Sequence, residues 1–453
     1  MKSNKDLTVG KPLNVLISFC IPLFLSVIFQ QLYNIADSVV AGNMIGENAL
    51  SAISNSYEIT LIFIAFAFGC NIGCSVICAN FFGAHDYKNV KTSISTSIIT
   101  SLVICVILML VGYFLTDNLL HMIKTPDKVF NDSKKYLDIY IYSLPFVFIY
   151  NISTGIFAAL GDSKTPFYFL AVSSVLNVFM DILFVGPLNQ GVPGTAIATL
   201  ICQGIAAILA LIVVIIRVNK LTHEETEKSK WFDFSIFKNF LIIAIPSILQ
   251  QSFISVGNIV IQKIVNSYGT EVMAGYGAAI KLNNLMITSL TTLGNGVSNY
   301  TAQNIGAGKH QRVVEGFKAG YLIVLAICIP VFLLYMSIPA QLTGLFIKEP
   351  SAGALHTGSI FLRTVSPFYF VVSLKLVADG ILRGNRKMAF FMLSTFTDLI
   401  LRVVLAFVLS KAFGEEGIWT SWPIGWGVAC ILSVTFTLIS FKKFKHIKED
   451  ASL

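Results

Sequence analysis

The chain has 453 residues, 55% of them hydrophobic and only 12% charged, with a net charge of +8. A water-soluble chain covers its surface with about 25% charged residues, so a soluble enzyme is excluded, as are a disordered, a collagen-like and a disulfide-stapled chain. What remains is a polytopic helical membrane protein whose apolar side chains face lipid.

Twelve apolar runs are long enough to cross about 30 Å of hydrocarbon, which takes about 20 residues each. Spans one to six are expected near 13–40, 49–81, 89–115, 131–160, 166–186 and 191–217. Spans seven to twelve are expected near 236–267, 271–303, 311–337, 354–383, 387–411 and 416–441. The longest polar stretch, Arg217 to Lys238, separates the sixth from the seventh. It divides the chain into an N-terminal six-helix lobe (1–217), a cytoplasmic linker (218–235) and a C-terminal six-helix lobe (236–453). The +8 charge invites a nucleic-acid partner, but its distribution reads as topology. With the N-terminus inside, 20 Lys and Arg fall in inward-facing segments, Arg383 among them, and six fall in outward-facing ones. That bias puts both termini in the cytoplasm and leaves no need for nucleic acid. No signal peptide is expected, because the first apolar run is too long for an h-region and lacks a small-residue cleavage site. All eight cysteines fall within spans, and Cys70, Cys74 and Cys78 share one helix face. They read as small packing residues rather than a metal site.

The second half of the chain repeats the first. Ile21-Pro22 and, twelve residues later, Asn34-Ile35 return as Ile245-Pro246 and Asn258-Ile259. Phe82-Gly83-Ala84 returns as Ile305-Gly306-Ala307, and Pro145-Phe146 as Pro367-Phe368, at offsets between 221 and 224. Six is an even number, so the two lobes share one orientation. The expected fold is all-α: twelve transmembrane helices in two six-helix lobes related by a parallel internal repeat, the plan of secondary transporters with the substrate path between lobes. The matched prolines suit either helix bending during transport or static packing.

A carboxylate placed in hydrocarbon costs a few kcal/mol or more, so each intramembrane acid is a functional candidate. Asp37 lies near the outer end of span one. Asn177 and Asp181 are four apart in span five and share a face, with Thr199 in span six at a similar depth. Two carboxylates, an amide and a hydroxyl can enclose a proton or a Na⁺, since close like charges raise one pKa and oxygen donors suit a hard cation. Alternatively, Asn177 and Asp181 tie helices together. At an offset of 221 the pair becomes Asp398 and Arg402, which helical spacing reads as a self-neutralised structural ion pair. Lys375 and Asp379 are also four apart and read as a local pair or, facing the cleft, as substrate contacts. Glu58 and Lys281 match at an offset of 223 and read as an outer gate pair or as separate snorkelling side chains. Tyr33, Asn34, Tyr140 and Asn258 complete the candidate cleft surface, the aromatics as partners for a hydrophobic cation.

Gln30-Gln31-Leu32-Tyr33-Asn34-Ile35-Ala36-Asp37, Phe-Phe-Gly-Ala at 81–84, Leu-Gly-Asp-Ser-Lys-Thr-Pro at 160–166, Asn177 with Asp181, and Ile-Leu-Arg-Gly at 381–384 resemble the multidrug and toxic compound extrusion (MATE) transporters. The likeness runs over essentially the whole chain. It implies that Asp37, Asn177, Asp181 and Thr199 form the cation-coupling site of the N-lobe. Some members of the family place a cation site in the C-lobe with an acid in the seventh helix; span seven here offers Gln250 and Gln251 instead. The resemblance implies a monomeric bacterial plasma-membrane antiporter that exports hydrophobic or cationic compounds by alternating access. It would be driven by H⁺ or Na⁺ and need no cofactor and no metal beyond Na⁺. No P-loop, dinucleotide turn, HExxH or nucleophile elbow is present, so no enzymatic activity is expected. The alternative is a lipid-linked saccharide flippase, which would line its cleft with several cations for a pyrophosphate.

Overall fold

The computed structural model describes residues 5–221, 229–347 and 350–450, with the side chains of 32–43, 47, 48, 50, 58 and 445–450 excepted. Among the described residues every regular element is helical. The first six helices are α1 (Pro12–Met44), α2 (Glu47–Gly83), α3 (Tyr87–Met122), α4 (Asp127–Ala159), α5 (Lys164–Val185) and α6 (Gly191–Leu221). The rest are α7 (Phe234–Asn266), α8 (Thr270–Gly306), α9 (His310–Ser337), α10 (Pro339–Gly344), α11 (Ala352–Val365), α12 (Tyr369–Gly384) and α13 (Met388–Asp450).

All twelve expected spans are helical. The tenth is assembled from α11, a 3-10 turn at Ser366–Phe368 and α12, because Pro367 has no N–H and its ring crowds the preceding turn. Its repeat partner, Pro145, sits inside an unbroken α4. The eleventh and twelfth spans run together in the 63-residue α13, interrupted where Gly414 takes φ 61° and ψ −144°, a conformation open to glycine. Ten helical stretches among the described residues are long and apolar enough to cross a membrane. Of those, α13 supplies two spans at once. The remaining span, α8, is less apolar because its buried face carries Asn283, Ser298, Asn299, Thr301, Gln303 and Asn304. The chain is a multi-pass membrane protein.

Two compact units form. One holds the described residues up to Asp6 together with Ile21–Ile248; the other holds Leu7–Cys20 together with the described residues from Leu249 onward. The first turns of α1, Pro12–Cys20, therefore pack in the second unit, and the N-terminal half of α7 in the first. Both divisions fall beside the matched prolines Pro22 and Pro246.

In the first unit α4 packs on α2, α3 and α6, and α5 packs on α6. The segment entering α7 is pinned to α3: Lys230 N donates to Thr92 Oγ1 at 3.2 Å and Asp233 N to Thr96 Oγ1 at 3.1 Å. Asp233 caps α7, its Oδ1 accepting from Ser235 N at 3.0 Å and Ile236 N at 3.2 Å. The hydrogen bond from Lys230, followed by those backbone N–H groups, holds the Asp233 carboxyl below its ordinary range. Its contribution is therefore present above the unfolded pKa, about 3.9, and lost as the pH falls through the lower folded value.

In the second unit α8 packs on α9, α11 and α12, and α12 packs on α9 and α13. Leu7 and Thr8 are buried there. Leu7 N donates to Gln303 Oε1 at 2.9 Å, Lys309 Nζ to Thr8 O at 3.0 Å, and Arg312 Nη1 to Gly10 O at 2.7 Å. Helices α8 and α12 touch backbone to backbone: a Cβ on Gly294 would stand 2.7 Å from Leu376 O. Small residues let membrane helices approach this closely, where dispersion and polar contacts replace the missing hydrophobic drive.

Gly161, between α4 and α5, has φ +73°, and a Cβ there would strike the backbone oxygen of Lys5. Lys5 N donates to Leu160 O at 3.1 Å across the same contact. Gly161→Ala is expected to destabilise the first unit by at least ~1–2 kcal/mol from the left-handed backbone alone, read as a lower thermal midpoint in detergent. Gly308→Ala (φ +69°), with nothing within 4 Å of its Cβ, isolates the backbone cost from the clash.

Candidate ion and substrate sites

Helix α5 is inside out relative to a soluble amphipathic helix. Its buried residues are Pro166, Ser174, Asn177, Asp181 and Val185. Val172, Val175, Phe179, Ile182 and Leu183 form the exposed side, Val172 and Phe179 being more than 60% exposed. In hydrocarbon this polarity is the stable one, since apolar side chains meet lipid and polar ones must find partners inside the protein. Ser174, Asn177 and Asp181 follow the i, i+3, i+7 spacing of one face. Asn177 is 2% and Asp181 1% exposed. The facing stretch of α6 carries Gly194, Thr195, Ala198 and Cys202 as buried small residues, which admit close approach of α5.

Thr199 on α6 is half-buried. At 1.5 Å per residue, Asn177 and Thr199 both stand about 12 Å from the connected ends of α5 and α6, and Asp181 about 6 Å. Asn177 and Thr199 thus stand at a similar depth in the first unit, with Asp181 one turn nearer the connected ends, and each takes part in a hydrogen-bonding or electrostatic interaction. Carboxylate, amide and hydroxyl oxygens are the donors a hard cation needs. Asp37, Tyr33, Asn34 and Glu58 lie outside the residues whose side chains are described. Tyr140 is buried on α4 in the same unit.

The other ends of α5 and α6 are joined by a cluster that helical spacing did not announce. Asp162 is 3% exposed. Its Oδ1 accepts from Lys164 N and Thr165 N at 3.0 and 3.1 Å, and its Oδ2 from Thr165 Oγ1 at 2.6 Å. Arg217, at the end of α6, pairs with Asp162 and donates to Thr165 Oγ1 at 2.7 Å. The signal available was Asp162 standing just ahead of an apolar run, a residue type that marks helix starts.

In the second unit Lys375 Nζ lies 2.8 Å from Asp379 Oδ2 and 3.9 Å from Asp398 Oδ2. Ser433 Oγ donates to Asp379 Oδ1 at 2.6 Å. Asp398 and Arg402 make no ion pair within 4.0 Å, although their charges still attract each other along the helix. Asp398 is drawn across to Lys375 on α12, and Arg402 lies over the Trp422 ring, its Cζ 4.3 Å from the centroid. Spacing along one helix cannot anticipate a cation on another. Nor is Arg383 the inner-loop base that the charge count took it for. It is 1% exposed, with its Cζ 5.2 Å above the Phe391 ring. Lys281 is exposed, 5.8 Å over the Phe346 ring, and Asn258 is half-buried on α7. Trp419, Trp422 and Trp426, buried with Tyr276, Phe361 and Tyr369, make an aromatic cluster missed from the sequence. Their i, i+3, i+7 spacing on one helix face was the signal. Among the described residues no group of three His, Cys, Asp or Glu could hold a metal ion.

Comparison with known proteins turns this plan into a family. The MatE family model matches residues 22–183 and again residues 246–408. The chain belongs to the MatE family. The two matches start at Pro22 and Pro246, so the family unit is the repeat itself. This MatE chain is 29% identical to the probable multidrug resistance protein YpnP of Bacillus subtilis (strain 168), with 98% of each chain covered. It is 21% identical to the FAD transporter of Shewanella oneidensis, covering 95% of this chain and 96% of that one. Its fold matches a multidrug resistance MATE family transporter of the MOP superfamily, solved in an outward-facing conformation, with a TM-score of 0.89 at 21% identity over 98% of this chain and 99% of the other. A MOP superfamily transporter from Pyrococcus furiosus matches with the same TM-score at 20% identity, over 98% of this chain and 99% of that one.

Proposed function

We propose that this MatE chain is a secondary antiporter of a bacterial plasma membrane, both termini in the cytoplasm, that exports small hydrophobic or cationic compounds by alternating access against H⁺ or Na⁺. The observation that carries the reading is the buried polar face of α5. Asp181, 1% exposed, is buried inside a membrane span with an amide four residues away, and a hydroxyl lies about one turn deeper on α6. A site that gains and loses a positive charge there changes the solvation cost of its own helix pair, and so biases one conformation over another. Asp37 is assigned to the same site on the MATE resemblance. Relatives named for multidrug resistance and multidrug export support the substrate class: YpnP, and MepA of Staphylococcus haemolyticus, which is 24% identical over 92% of this chain and 91% of its own. Tyr140, Lys281, Asn258, Tyr33, Asn34, Glu58, Lys375 and Asp379 are proposed to line or gate the substrate path.

Expression in a drug-sensitive host tests the export reading. Cells carrying the chain should accumulate less of a fluorescent cationic dye than empty-vector cells, and a protonophore or removal of Na⁺ should restore the accumulation. Equal dye accumulation in both strains, at verified membrane expression, contradicts drug export.

A further inference from the structure

Among the described residues, five charged side chains are buried in the second unit: Lys375, Asp379, Arg383, Asp398 and Arg402, none more than 6% exposed. They are three bases and two acids. A guanidinium keeps its proton in proteins. Lys375 has a carboxylate on either side, Asp379 at 2.8 Å and Asp398 at 3.9 Å. The set therefore carries one uncompensated positive charge, which is costly in a medium of low polarity. Neither arginine has a carboxylate within 4.0 Å among the described residues. Nε and Nη1 of Arg383 and Nε and Nη2 of Arg402 are buried with no acceptor.

Of the two arginines, Arg402 has the surroundings of an anion site. Its guanidinium lies on the Trp422 ring. The indole N–H groups of Trp422 and Trp419 are also buried without an acceptor. The two indoles are joined through Phe361, whose centroid is 6.0 Å from that of Trp422 and 5.3 Å from that of Trp419. On the α7 side stands Gly257, whose Cβ, if it had one, would be 3.9 Å from Arg402 Nη2. Gly257 sets no side chain against that edge of the guanidinium. Asp398 is turned toward Lys375 and does not fill the place.

We propose that the second unit binds one monovalent anion at Arg402, beside Trp422 and Gly257: chloride, or the carboxylate of a transported molecule. An anion there neutralises the buried set and takes up guanidinium and indole donors at once. The site is separate from the cation site of the first unit, so either can fail without the other.

Bromide tests it, because a halide seated against an indole quenches its fluorescence. The full chain carrying Trp231→Phe, which removes an indole 84% exposed, is titrated with bromide against sulfate at constant ionic strength. A saturable quench is expected, together with a higher thermal midpoint in chloride than in sulfate; Arg402→Leu should abolish both. Reversal of the quench by chloride but not benzoate identifies a halide site; reversal by benzoate identifies a carboxylate site. Quenching that only rises linearly, with the same midpoint in both salts, overturns the proposal. If Arg402→Leu does not fold, Asp398→Asn replaces it. Removing that negative charge should tighten bromide binding about tenfold, a like-charge effect of about one pK unit. Unchanged or weaker binding overturns the proposal.

Discussion

Asp181→Asn is expected to reduce cation-driven efflux about a hundredfold or more, a loss of roughly 2.8 kcal/mol in coupling at 1.4 kcal/mol per tenfold. An amide cannot exchange a proton in this range and offers a cation no charge. The same substitution is expected to leave the fold intact or firmer, since a buried neutral amide is cheaper to hold inside a membrane span than a carboxylate. The side chain keeps its volume, so the packing of α5 on α6 is preserved. Efflux from vesicles and the thermal midpoint are measured on one preparation. A large loss of efflux without a loss of stability marks a coupling residue. A parallel loss of both marks a structural one. Asn177→Ala should fall between, because it removes one oxygen and no charge.

Lys375→Met is expected to be the most damaging single substitution in the second unit. It leaves Asp379 and Asp398 facing each other without the ammonium that lies 2.8 Å from one and 3.9 Å from the other. Removing one partner of a buried ion pair costs about 3–5 kcal/mol, because the remaining charge stays buried. The double variant Lys375→Met/Asp379→Asn should recover most of that loss, since it removes charge from both sides. Asp379→Asn alone should be milder than Lys375→Met, because Lys375 retains Asp398. Thermal unfolding in detergent orders the three variants. If Lys375→Met is as stable as the parent, the triad does not hold the unit together.

The long-range plan was legible because hydrocarbon imposes it. Each span needs its own apolar length, and the duplicated Ile-Pro and Pro-Phe pairs exposed the repeat. The polar face of α5 was legible too, since Asn177 and Asp181 are conspicuous in an apolar run at helical spacing. Ser174 escaped because serine is common in such runs; only the burial of that face gives it meaning. The charges of the second unit were partly misread, and the reason is geometric. Asp398 and Arg402 are neighbours along one helix, but Lys375 and Trp422 reach them from elsewhere in the fold, and a cation takes whichever partner the packing offers. Arg383 was misread because a base next to a glycine at a span end looks like a loop residue, whereas it is buried over the Phe391 ring. The exchanged N-terminal parts of α1 and α7 leave no sequence signal beyond Pro22 and Pro246. A proline marks where a helix can bend, not which unit each half joins.

The central claim, that a cation taken up at Asp181 drives transport from the first unit, is tested most directly in membrane vesicles. Dye efflux is followed under a pure pH gradient and then under a pure Na⁺ gradient, for the parent chain and for Asp181→Asn. The account predicts efflux in the parent under at least one gradient and its collapse in the variant under that same gradient. Undiminished gradient-driven efflux in Asp181→Asn would contradict it.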